Sequence, residues 1–384
     1  MKQVSFQNIV THIQEQFPGK DLIPLHAPVF AGNEKRYLLD TIDSTFVSSV
    51  GAYVNKFEEM MCEITGAKYS IAIVNGTNAL HMGLILADVN GDDEVLSQSL
   101  TFIATCNAIS YIGAKLVFID VDRDTLGMSP DSMSAYLDQN AEIRNDGYTY
   151  NRRSGRRIKA CVPMHTFGMP CRIDEIAELC DKWNIILVED SAESLGSYYK
   201  GKHTGIYGEL GIFSFNGNKT VTCGGGGAIV TNNSAIAKRA KHITTQAKVP
   251  HPWAFTHDEI GYNYRMPNLN AALACAQLEQ LAGFVQNKRE LAENYSSFFK
   301  DSNIEFINEP GNSKANFWLN AIILKDRLER DEFLKFTNDN GVMTRPVWDL
   351  IHTLRMFKDS DHDSLSNSLW LADRLVNIPS SVRL

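Results

Sequence analysis

From about residue 69 to residue 231 the chain alternates short apolar runs with segments whose apolar residues recur at helical spacing. That alternation predicts parallel strands joined by crossover helices. The expected strands are SIAIV (70–74), EVLSQ (94–98), KLVFID (115–120), IKACVPM (158–164), NIILVED (184–190), GIFSF (211–215) and GAIVT (227–231). Helices are expected between most of them, for instance over 78–87 and 173–183. The fold class is therefore α/β, a large domain on a mostly parallel seven-stranded sheet.

Beyond about residue 250 the pattern changes. A helical stretch over 268–300 carries Leu269, Ala272, Leu273, Leu278, Leu281, Phe284 and Val285 at helical spacing. It is followed by one clear strand (316–324), a helix over 330–340 and a terminal helix near 364–376. This predicts a smaller C-terminal α+β domain, with the division at 1–250, which includes an N-terminal helical segment, and 251–384. The opening residues MKQVSFQNIVTHIQEQF lack the features of a signal peptide, and no apolar run is long enough to span a bilayer. A cytoplasmic protein with no membrane partner is expected.

Composition narrows this further. With 384 residues, 44% of them apolar, the chain can bury a large core. A net charge of −8 gives no footprint for nucleic acid, and Arg144, Arg152, Arg153, Arg156 and Arg157 read as a solvated loop. The seven cysteines are odd in number and mostly embedded in apolar runs, and none has C-x-x-C spacing. They read as small core residues in a reducing compartment, and no metal site is expected.

In open α/β sheets, ligands bind beyond the carboxyl ends of the strands, so the residues there carry the chemistry. After SIAIV comes NGTNAL, where Asn75, Gly76, Thr77 and Asn78 form either a simple helix cap or a seat for phosphate at a helix N-terminus. After NIILV comes Asp190, which either caps the next helix or answers a fixed positive charge such as a protonated ring nitrogen. After GIFSF comes NGNK, in which Lys219 is either a solvated loop lysine or an amine held for covalent use. Together, a phosphate seat, a ring-nitrogen carboxylate and a reactive lysine on one sheet describe a site for pyridoxal 5′-phosphate. A dinucleotide-binding oxidoreductase is disfavoured, because the glycine run Gly224–Gly227 precedes a strand instead of following one.

Ordered blocks along nearly the whole chain carry a resemblance. They include FVSSVGAYVNKFEEMMCEITGAKYSIAIVNGTNALHMGL, LTFIATCNAISYIGAKLVFIDVD, PMHTFGMPCRIDEI, VEDSAESLGSYYKGKHTGIYGELGIFSFNGNKTVTCGGGGAIVTNN, GYNYRMPNLNAALACAQLEQL and TRPVW followed by NIPSS. In these blocks the sequence resembles the DegT/DnrJ/StrS-type sugar-nucleotide aminotransferases, fold-type I pyridoxal-phosphate enzymes. The resemblance implies that Lys219 carries the cofactor covalently and moves the proton in catalysis, and that Asp190 pairs with the ring nitrogen. It implies that Ala192 and Phe102 pack on the two ring faces, and that Gly76, Thr77, Asn78 and Ser214 hold the phosphate. Asn263, from a second subunit, would complete the phosphate site, which makes the expected assembly a homodimer with shared active sites.

The chain departs from the commonest pattern at Asn75, where serine is frequent, and at Glu193, where a glutamine often bonds the cofactor hydroxyl. By resemblance His165, Arg345, Trp348 and His352 are substrate candidates. The expected partners are L-glutamate as amino donor and a nucleotide-linked 4-keto sugar. Similarity is greatest to enzymes acting on UDP-linked 4-keto-6-deoxy-N-acetylglucosamine in the bacillosamine and legionaminic acid branch. GDP-linked 4-keto-6-deoxymannose, leading to perosamine, is the alternative. A pyridoxal-fold binding protein without turnover is a remote one, since Lys219 is retained.

Overall fold

A computed structural model describes residues 4–383. Seven strands form the body of the main sheet: β1 (Tyr69–Ile73), β2 (Glu94–Gln98), β3 (Lys115–Ile119), β4 (Ile158–Val162), β5 (Ile186–Asp190), β6 (Leu210–Ser214) and β7 (Gly227–Thr231). Their order across the sheet is β1-β7-β6-β5-β4-β2-β3. Only β7 runs antiparallel to its neighbours β1 and β6. The remaining pairs are parallel, which puts the carboxyl ends of β1, β5 and β6 along one edge. Strands β2, β4 and β7 are buried at every residue. That burial on both faces is why these segments read as continuous apolar runs without alternation.

The C-terminal part supplies β8 (Glu305–Phe306), β9 (Asn320–Ile323), β10 (Arg345–Pro346), β11 (Asp361–His362) and β12 (Leu375–Ile378). Four of them make an antiparallel sheet in the order β8-β9-β12-β10. The fifth, β11, crosses back and pairs in parallel with β3, so the main sheet has eight strands where seven were expected.

Three elements differ from the sequence reading. The stretch 268–300 is two helices, Asn268–Leu278 and Leu281–Phe299, broken at Glu279–Gln280, while the apolar spacing carries on across the break. The terminal helix is only Ser366–Ala372, and the β-branched run after it is β12. The strand expected over 316–324 begins at Asn320, because Phe317 takes a left-handed φ of 48°.

Packing also departs from a division at residue 250. In helix Phe6–Gln16, Ser5 caps the N-terminus, and Ile9, Val10 and Ile13 are buried in the same apolar cluster as Tyr295, Ile322 and Phe333 of the C-terminal core. Burying three such side chains contributes about 1.5–3 kcal/mol each. Helix Asn268–Leu278 packs the other way, setting Ala271, Ala272 and Cys275 against Val54, Phe57 and Met61 of helix Ala52–Thr65. An amphipathic stripe states that a face is buried and leaves its partner open. Helix Leu281–Phe299 spans both cores, with Phe284 and Val285 in one and Leu291 and Tyr295 in the other.

Candidate active site

The carboxyl end of β1 turns directly into helix Gly76–Leu86. Asn75 caps this helix, its Oδ1 accepting from the Asn78 N–H at 2.8 Å. The Gly76 and Thr77 N–H groups lie in the first turn, where no intrahelical acceptor exists. Of the three expected phosphate donors after Asn75, then, Gly76 and Thr77 line the cavity, while the Asn78 N–H is already engaged. Two glycines make the seat possible. A Cβ on Gly76 would stand 2.6 Å from Ser214 Cβ, and a Cβ on Gly227 would stand 2.5 Å from the Asn75 carbonyl oxygen. The first residue of β7 thus passes directly under the turn that follows β1.

At the end of β5, Asp190 is buried. Its Oδ2 accepts from Thr105 Oγ1 at 2.6 Å and its Oδ1 from the Ala192 N–H at 3.1 Å. Burial pushes its pKa up, and the Thr105 and Ala192 bonds, then the charge of Lys219, work against that rise. A carboxylate held this deep, with hydrogen bonds but no salt bridge among the described residues, is built to meet a cationic ring nitrogen.

Lys219 follows β6, and its side chain is only 12% exposed. Its Nζ lies 3.1 Å from Glu193 Oε1 and 4.2 Å from the centre of the Trp318 ring. Trp318 is fixed in turn by its Nε1–H, which donates to the Asn218 carbonyl at 2.7 Å. Glu193 accepts a second bond, from the Phe167 N–H at 2.9 Å, and burial pushes its pKa up to about 7.

These groups surround a cavity of about 280 Å³, which Phe102, Ala192 and Trp348 also line. Phe102 sits at the start of helix Ile103–Ile112, half-exposed, with its ring centre 6.1 Å from that of Trp348. A larger groove of about 580 Å³ beside Tyr207 and Arg239 has no lysine in its lining.

Four candidates lie elsewhere. His165 is fully buried with its ring turned away from the cavity: Nε2 faces Glu189 at 3.2 Å, and Nδ1 accepts from the Cys171 N–H at 3.3 Å. It is a structural group behind Asp190, whose carbonyl accepts the His165 N–H at 3.2 Å. Arg345 is exposed and donates to Asn338 Oδ1 at 2.9 Å. His352 bonds Ser99 Oγ at 2.8 Å, and burial, with His362 nearby, lowers its pKa. Asn263 is exposed in a segment bridged to Thr245, outside the cavity of its own chain. Sequence reasoning missed Thr105 and Trp318; each touches a site group through the fold and carries no local signal.

The residues fit pyridoxal 5′-phosphate on three counts: a glycine-built seat that any Cβ would fill, a buried carboxylate, and a lysine amine between them. Fold and site together therefore define a fold-type I pyridoxal-phosphate enzyme. The chain belongs to the DegT/DnrJ/EryC1/StrS aminotransferase family, whose pattern residues 29–384 match. It is 37% identical over 360 residues to the GDP-perosamine synthase of Escherichia coli O157:H7, covering 93% of each chain. To the GDP-perosamine synthase of Vibrio cholerae it is 34% identical over 364 residues, covering 94% of each. The solved structure of the aminotransferase TlmJ from Streptoalloteichus hindustanus superposes with a TM-score of 0.85 at 25% identity, over 94% of this chain and 93% of that one. The chain is thus a pyridoxal-phosphate-dependent sugar aminotransferase. Two of these relatives carry the GDP-linked alternative in their names, and none of the three carries the UDP-linked branch that the resemblance favoured.

Proposed function

We propose that this protein transfers an amino group from L-glutamate to C4 of a GDP-linked 4-keto-6-deoxymannose. The observation that carries this reading is the set Lys219, Asp190, Gly76 and Ser214 lining one cavity in a chain 37% identical to a GDP-perosamine synthase along nearly its whole length. When bound, pyridoxal 5′-phosphate supplies an aldehyde for amine capture and a ring that accepts the electron pair left by a departing proton. Lys219 Nζ, at the mouth of β6, would take up and return that proton at the substrate carbon. Asp190 would keep the ring nitrogen protonated, while Gly76, Thr77 and Ser214 would hold the phosphate. Phe102 and Trp348 wall the cavity on the solvent side and exclude water from the reacting atoms.

The reading includes a homodimer in which Asn263 reaches the partner's site. It is supported by the exposure of Asn263 and by Trp253, Phe255 and Ile260, each about 80% exposed in the preceding segment. Among the described residues no helix is long and apolar enough to cross a membrane, and the seven cysteines are unpaired, which suits a cytoplasmic setting.

The test is a direct competition. The cofactor-loaded protein is given L-glutamate with either the GDP-linked keto sugar or the UDP-linked 4-keto acetamido sugar, and amino sugar is read by mass spectrometry. Amination of the GDP sugar alone is expected. Amination of the UDP sugar alone would return the substrate to the bacillosamine and legionaminic acid branch.

A further inference from the structure

Lys219 closes a turn that begins at Asn216. Its backbone N–H donates to the Asn216 carbonyl at 3.0 Å, so the two are the first and last residues of a β-turn directly after β6. A turn of this kind brings its end residues within about 7 Å of each other, measured between Cα atoms. Both residues line the cavity. Asn216 is exposed, and its side-chain amide has no hydrogen-bond partner among the described residues.

Most other polar groups of the cavity are already spoken for. Asn75 caps its helix through Oδ1 and, with Thr77 and Ser214, stands at the phosphate seat. Asp190 is held by Thr105 and the Ala192 N–H, and Glu193 by Lys219 and the Phe167 N–H. The Trp318 N–H is spent on the Asn218 carbonyl. Three polar side chains remain, those of Asn216, Asn218 and Trp348. An indole N–H only donates, whereas an amide both donates and accepts, as a sugar hydroxyl does. Asn218 is an interior residue of the turn, and Asn216 is the one that the turn closure sets beside Lys219.

We propose that Asn216 is a sugar-binding residue whose amide holds the C3 hydroxyl of the keto sugar. Lys219 Nζ has to reach C4 to move a proton there. The hydroxyl nearest to C4 is the one on C3, because C5, on the other side, carries the ring oxygen and a methyl group. The inference rests on the C4 amination proposed above, and both the GDP-linked and the UDP-linked sugar considered there carry a C3 hydroxyl.

The experiment pairs a missing side chain with a missing hydroxyl. Cofactor-loaded wild type and Asn216→Ala receive L-glutamate and either the keto sugar that wild type aminates or its 3-deoxy analogue, and each half-reaction is followed by absorbance. Wild type is expected to lose about tenfold in kcat/KM on the 3-deoxy sugar, the loss of one hydrogen bond. Asn216→Ala should lose a similar factor on the full sugar and nothing further on the 3-deoxy one, since a single bond is broken only once. Losses that multiply would place the hydroxyl on another group and overturn the proposal. An equal loss in the glutamate half-reaction would overturn it as well, by moving Asn216 from the sugar to the cofactor or the donor. Wild type that aminates the 3-deoxy sugar as fast as the full one would overturn it with no variant needed. The affinities of the 4-amino product and its 3-deoxy analogue for both proteins, by calorimetry, give the same comparison without turnover. Amination of the UDP sugar alone would set aside the GDP assignment, and the comparison on that sugar would still decide the role of Asn216. Wild type that aminates neither sugar would overturn both readings.

Discussion

Thr105 Oγ1 donates a 2.6 Å hydrogen bond to Asp190 Oδ2, and both side chains are buried. Thr105 lies in the helix after β2 and Asp190 at the end of β5, so the bond ties two crossover units together beneath the cavity. It is also the largest influence opposing the upward push of burial on the Asp190 pKa. Replacing Thr105 by valine keeps the shape and removes the donor, so the Asp190 pKa should rise further. A hydrogen bond to a charged group contributes about 1.5–3 kcal/mol, so cofactor affinity should fall roughly 10- to 100-fold. Fluorescence titration with pyridoxal 5′-phosphate at several pH values checks this, and the loss should be greatest at the acid end, where Asp190 protonates first.

Gly227→Ala tests the phosphate seat by steric means alone. The new Cβ would lie 2.5 Å from the Asn75 carbonyl oxygen and 2.9 Å from the Gly76 nitrogen, both backbone atoms that cannot swing aside. Turnover should fall by about two orders of magnitude, as a shift of about 1 Å in the placement of reacting groups can cost. Circular dichroism should stay near wild type, because the strand itself tolerates alanine.

Lys288 sets a pH dependence of stability. It is fully buried, donates to the Trp318 carbonyl at 3.1 Å and to the Ser380 carbonyl, and burial pushes its pKa down to about 7. Between that value and the ordinary 10.5 the unfolded chain binds more protons than the folded one, so stability rises with pH across this window. From pH 7 to pH 9.5 wild type should gain about 3 kcal/mol relative to Lys288→Met, in which that titration is absent. Urea unfolding of both proteins at the two pH values measures the difference.

How far the sequence revealed this site depends on the kind of contact. The strands β1 to β7 were legible because burial on both faces writes itself as apolar runs, and Gly76, Thr77, Asp190 and Lys219 followed from their carboxyl ends, while Ala192 and Ser214 came from the family resemblance. Trp318 was not legible. It was read as part of a strand, and it reaches Lys219 only because the left-handed turn at Phe317 releases it from the ladder. The fate of the N-terminal helix was hidden as well, since Ile9, Val10 and Ile13 mark a buried face without saying that Phe333, more than three hundred residues away, covers it. His165 misled for a physical reason: a histidine after a strand end can face the cavity or the layer behind it, and here Glu189 holds it behind.

The most direct measurement is the visible spectrum of the protein loaded with pyridoxal 5′-phosphate, before and after L-glutamate, in wild type and Lys219→Ala. Wild type should show the band of lysine-bound cofactor, and glutamate should bleach it with one equivalent of 2-oxoglutarate formed per site. Lys219→Ala should show neither the band nor the product. Oxoglutarate formed at the wild-type rate by Lys219→Ala would contradict the central role given to this lysine.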